Sequence, residues 1–161
     1  MKDVGLATKG RWHAHWMIER YDENGVLYNT SEFDNNGLAN AGIDELWTLV
    51  GGTGATQFDH TNAYIGVGDD NTAFAVGQTD LQAVTNKKLR RGMETTYPTY
   101  GSSQKITFKS SFGGSDANWH WEEFGVFNAS SSGVMLNRKV EDEGTKTSGQ
   151  TWVVTLEITL S

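Results

Sequence analysis

The sequence predicts a mainly β protein, an antiparallel, jelly-roll-like β-sandwich with one short α-helix, and three observations carry that prediction. Several segments alternate apolar and polar residues with period two, as a half-buried strand requires. The 161 residues include 19 glycines, a single proline and many Thr, Ser and Asn, a composition suited to strands joined by tight turns. Only one segment repeats its apolar residues at helical spacing.

The elements follow in order. Between Arg11 and Glu19, Trp12, Ala14, Trp16 and Ile18 share one face and His13, His15 and Met17 share the other, which predicts a strand. Asn24-Gly25 then fits a type I′ hairpin turn, with positive φ at both central positions. From Leu38 to Val50, the residues Leu38, Ile43, Leu46, Trp47 and Val50 form one apolar helical stripe. Asn36 or Asn40 is available to cap it, Asp44 and Glu45 lie early in it, and Gly51-Gly52 ends it. Tyr64–Gly68 reads as a short buried strand closed by the turn Asp69-Asp70-Asn71, and residues 72–84 read as irregular.

A strand is expected over Lys87–Thr96, broken by Pro98 and Gly101. Gln104–Phe112 follows, with Ile106, Phe108 and Phe112 on one face, and Gly113-Gly114 turns the chain. Trp119–Asn128 and Gly133–Val140 are expected to pair across the loop 129–132. Last, Trp152, Val154, Leu156, Ile158 and Leu160 alternate with Val153, Thr155, Glu157 and Thr159. The tally of roughly seven or eight strands and one helix matches a sandwich of ordinary size. No repeat or linker divides the chain, so one domain is expected over 1–161. Residues 1–37 would supply an N-terminal arm and hairpin, and 38–161 the helix and main sandwich.

Charge and composition narrow the function. With 13 Lys+Arg against 20 Asp+Glu the net charge is −7, the wrong sign for a general nucleic-acid binder. The absence of cysteine removes disulfides and thiolate metal sites. Residues 1–12 carry no long apolar run behind a basic start, so no secretory leader is expected. No stretch reaches the ~18 apolar residues of a membrane span, so a soluble chain without a membrane partner is expected.

Few residues suggest chemistry. His13 and His15 point the same way from one strand, but a metal needs three or four ligands, with only His60 and His120 left to add imidazole. No metal or other cofactor is expected. Asp69-Asp70-Asn71 has the composition of a calcium loop without its ligand spacing. Glu122 and Glu123 are adjacent on a strand and point to opposite faces, so they cannot act together on one substrate. No nucleophile elbow, phosphate loop or dinucleotide fingerprint is present, and no enzyme is expected.

Binding surfaces are better represented. Trp152 and Trp47 read as core, leaving Trp12/Trp16 and Trp119/Trp121 as same-face pairs for a sugar-stacking platform, a subunit interface or further core. Lys87, Lys88, Arg90 and Arg91 gather four positive charges in five residues. They form either a solvated edge strand or a docking patch for an acidic partner.

From the helix onward the order of segments resembles small virion structural proteins of tailed bacteriophages. The segments are Asn40–Leu46, Tyr64–Asp69, Asn71–Phe74, Gln78–Leu81, Trp121–Asn128 and Gly133–Arg138, then the final alternating strand. The resemblance covers roughly residues 38–160 and leaves 1–37 unmatched. It implies a non-enzymatic part of a virion, assembled in a host cytoplasm: a head decoration (cement) protein, or a tail, collar, baseplate or fibre component. The compact chain lacks a shaft, which favours decoration of the capsid surface. The implied partners are the major capsid protein or another virion protein, and other copies of the chain as a homotrimer. A carbohydrate-binding module is the reading from another class.

Overall fold

A computed structural model describes residues 11–161; the first ten residues of the expected arm lie outside the described residues. The chain forms β1 (Trp12–Tyr21), β2 (Leu27–Asp34), β3 (Gly37–Leu38), α1 (Asn40–Gly51) and β4 (Tyr64–Gly68). It continues with β5 (Lys88–Gly92), β6 (Thr99–Ser102), β7 (Lys105–Phe112), β8 (His120–Phe127), β9 (Met135–Thr145) and β10 (Thr151–Leu160). The strands form two five-stranded antiparallel sheets, ordered β2-β1-β10-β7-β6 and β3-β9-β8-β4-β5. The expected mainly β fold with one helix is therefore present. The short ladders β3 and β6 supply the strands beyond the expected number.

The alternating residues meet between the sheets. Trp16, Ile18, Phe108, Phe112, Trp152, Val154 and Leu156 of the first sheet face Ile65, Val67, Trp121, Phe124 and Val126 of the second. Aromatic rings run through this core: Trp16 lies 5.8 Å from Phe124, Trp121 6.1 Å from Phe124, and Trp121 4.7 Å from Trp152. Edge and tilted contacts of this kind stabilise beyond the area they bury.

Local expectations are corrected at the first hairpin and at the helix. The hairpin after β1 is not type I′, because positive φ occurs at Gly25 (76°) and not at Asn24. Asp22 Oδ1 accepts the Asn24 and Val26 N–H groups at 2.9 Å each, and Asp22 O accepts Gly25 N–H at 3.0 Å. This side-chain capture favours a type I turn followed by a left-handed glycine and a bulge.

The helix begins at Asn40 with Ala39 at its cap and no side-chain capping bond. Asn36 instead accepts the Trp12 indole N–H at 3.0 Å. A Cβ on Gly42 would stand 2.7 Å from Leu136 Cα, so the missing side chain lets α1 ride directly on β9. That contact fixes the helix rotation. Leu46 and Leu49 pack on the core, while Trp47 and Val50 turn outward at 69% and 76% exposure. Trp47 is therefore not core.

The irregular segment 69–84 lies over the outer face of the second sheet. There, Leu81 packs with Phe127, Met135 and Ala39 in a second apolar cluster. Beside it, Glu123 and Arg138 form an ion pair at 2.7 Å, both side chains fully buried. Glu123 accepts the backbone N–H of Gln82 at 2.9 Å and of Ala83 at 2.8 Å. Arg138 donates to Thr72 O at 2.8 Å and to Gln78 Oε1 at 3.2 Å. The pair thus carries the backbone groups of a segment with no ladder of its own.

Candidate interaction surfaces

Each tryptophan pair is split by the fold. Trp16 and Trp121 are fully buried, while Trp12 and Trp119 are partly buried against the core. Trp16 and Trp121 are therefore corrected from platform candidates to core, because their strand faces turn toward the opposite sheet. Trp12 and Trp119 stand alone at their positions, on β1 and just before β8, so neither pair offers two exposed rings.

The basic cluster is largely consumed by internal contacts. Lys88 Nζ and Arg90 Nη2 each reach Asp80 at 2.8 Å. Burial pushes the Asp80 carboxyl up, but these two hydrogen bonds outweigh it and hold its pKa below the usual value. Arg90 also donates to Ala129 O at 3.0 Å and Ser132 O at 2.7 Å, and its guanidinium lies 3.5 Å from the Phe127 ring centre. Arg91 pairs with Asp116. Lys87 lies in the short turn before β5 and makes no ion pair among those of the described residues. Arg90 is thus a brace between β5, Asp80 and the 129–132 loop rather than a free docking cation.

His13 and His15 face outward from β1 beside Glu32 and Asp34 of β2. Asp34 Oδ1 lies 2.8 Å from His15 Nδ1, while Glu32 Oε2 lies 3.6 Å from the ring's other nitrogen. The carboxylates flank the ring instead of converging with it. His60 Nδ1 is held against Tyr97 O at 2.7 Å, and His120 lies on the other sheet. The four imidazoles do not assemble. The His15 hydrogen bond holds the Asp34 carboxyl below its usual pKa.

Two features had not been singled out by sequence reasoning. The first is an open apolar cleft of about 640 Å³ where the sheets part at one end. Trp12, Ile106 and Leu160 of the first sheet line it with Leu46 of α1 and Phe58, and the β6–β7 turn forms its rim. Its size lies within the usual range for ligand clefts. Exposed apolar residues also occur on the elements that line it: Trp47 and Val50 belong to the helix that supplies Leu46, and Tyr100 precedes the rim residue Gly101 in sequence. Tyr100 is 72% exposed and Leu160 56%. The helix stripe was visible in the sequence, but its outward rotation was not. The second feature is the group His120, Glu122 and Asp142, which joins two strands across a register shift.

Comparison with protein-family models, with curated proteins and with solved structures gives no match.

Proposed function

We propose that this chain is a non-enzymatic virion structural protein, a capsid decoration protein that docks on a phage head through the apolar end of its sandwich. The observation that carries the docking reading is the apolar cleft lined by Trp12, Leu46, Ile106 and the exposed Leu160, together with the exposed Trp47 and Val50 on the helix that supplies Leu46. An open apolar concavity and large apolar side chains left in water are the usual marks of a surface that another protein covers. The order of segments from Asn40 to the last strand supports the virion context. The buried charges Glu123, Arg138 and Lys146 are engaged by neighbouring groups, which suits a structural module. A contact of about 800 Å² per copy would be of ordinary stable size, and repeated copies would reinforce a lattice by multivalency.

The test is the location and copy number of the chain in purified particles by cryo-electron microscopy. Many copies on the head are expected. Density confined to the tail, collar or baseplate would replace decoration by a tail role, and absence from particles would end the virion reading. Trp47→Asp with Val50→Asp, both exposed in the monomer, should reduce occupancy while the far-ultraviolet circular dichroism and Tm of the free protein stay close to those of the parent chain.

A further inference from the structure

We infer that His120, Glu122 and Asp142 form a binding site for one divalent cation of the zinc class. His120 and Glu122 are alternate residues of β8 and share a face, while Trp121 between them is fully buried and fixes the strand. Across the ladder Trp121 pairs with Gly144 but Glu123 pairs with Val140, so residues 141–143 of β9 all stand opposite Glu122. This bulge brings Asp142 to the imidazole. Bulges re-aim side chains in this way beside functional sites.

The resulting geometry suits a cation. His120 Nε2 lies 2.9 Å from Asp142 Oδ1 and 3.6 Å from Glu122 Oε1. One ligand atom from each residue lies within 4.8 Å of the other two. Donors held 2.0–2.2 Å from a tetrahedral zinc ion stand roughly 3.4 Å apart, so closure needs only small side-chain movements.

A second observation concerns the far side of the ring. His120 Nδ1 is 3.1 Å from Thr145 Oγ1, on the residue that pairs with it across the ladder. In the tautomer that donates Nδ1–H to Thr145, the Nε2 lone pair faces both carboxylates and is available to a cation. Metal-binding histidines are commonly oriented by a partner on the other nitrogen. Asp142 is oriented too, since its Oδ1 accepts the Gly144 N–H at 3.0 Å. Here the three donors converge, whereas at His15 the carboxylates lie on opposite ring nitrogens.

The donor set selects the ion. One imidazole with two carboxylates suits Zn²⁺ or Co²⁺ better than Mg²⁺, which prefers oxygen ligands and its own waters. Three protein ligands leave a coordination position open to water, on a surface where Asp142 is 69% exposed.

The experiment is isothermal titration of the full chain with ZnCl₂, with Co²⁺ absorption as an independent readout. One equivalent should bind, Co²⁺ should give visible bands, and Tm should rise with Zn²⁺ concentration. His120→Ala and Asp142→Asn should each weaken binding at least tenfold with unchanged circular dichroism, and His13→Ala with His15→Ala should leave it intact. Three results would overturn the site: no heat and no bands, binding that survives His120→Ala, or Mg²⁺ binding as tightly as Zn²⁺.

Discussion

On the sheet β2-β1-β10-β7-β6 the outward charges stand in partial contact with water and pair across strands, as in Lys105–Glu157 at 2.9 Å and Lys109–Glu19 at 3.6 Å. On the sheet β3-β9-β8-β4-β5 the outward pair Glu123–Arg138 is sealed beneath residues 69–84. Both faces arise from the same strand alternation, yet their charges have different consequences. An exposed pair exchanges one set of water contacts for another and contributes little. A sealed pair has lost its water, so each member depends on the other and on the backbone groups it serves. The lesson concerns anchoring: a segment with no regular structure is held in place by two side chains that reach it from the sheet.

The largest expected effect tests that anchoring. Arg138→Met leaves Glu123 buried without its countercharge and should cost about 3–5 kcal/mol in urea unfolding. Combining it with Glu123→Leu should restore part of the loss, and a cost for the single variant near that of a surface pair would remove the contrast. Arg90→Ala should come next, at about 2–3 kcal/mol, because it breaks charge-assisted bonds to Asp80 and two carbonyls. Gly68→Ala should cost about 1–3 kcal/mol by overpacking, since the new Cβ would sit 3.0 Å from Ala83 Cβ. Hydrogen exchange at the Gln82 and Ala83 amides should quicken most in the first and third variants.

The open face should respond least. Lys105→Ala is expected to change stability by less than about 1 kcal/mol, and a larger loss would show that this face is not merely solvated. Acid titration sharpens the point. Because the folded Asp34 carboxyl has a lowered pKa, its contribution is present above the unfolded value and is lost as pH falls through the folded value. Asp34→Asn should therefore flatten the acid limb of the stability curve, and an unaltered limb would remove the His15–Asp34 contact from the account.

The inward faces of this molecule were legible because period-two alternation survives in β1, β7 and β10, and the start of β4 was marked by its apolar run. Alternation shows which residues share a face but not what covers that face, so Trp16 and Trp121 could be read as a platform. The helix stripe was visible, but its rotation depends on Gly42 meeting Leu136, a contact between residues distant in sequence. Residues 69–84 have no periodicity, and nothing local reveals that Glu123 and Arg138 await them. The β9 bulge was hidden for a related reason. Glu141-Asp142-Glu143 interrupts the alternation, so the strand was expected to stop at Val140, and the approach of Asp142 to His120 exists only once the register shifts.

The second neighbour of β1 in the first sheet, besides β2, is β10, with Trp12 opposite Leu160 and Tyr21 opposite Thr151. During synthesis, the hairpin made by β1 and β2 must therefore wait for nearly the entire described chain before its inner edge is covered. An uncovered strand edge is a template for stray pairing, and contacts this far apart in sequence form slowly. The stage of greatest exposure to aggregation thus falls between ribosomal emergence of β2 and that of β10.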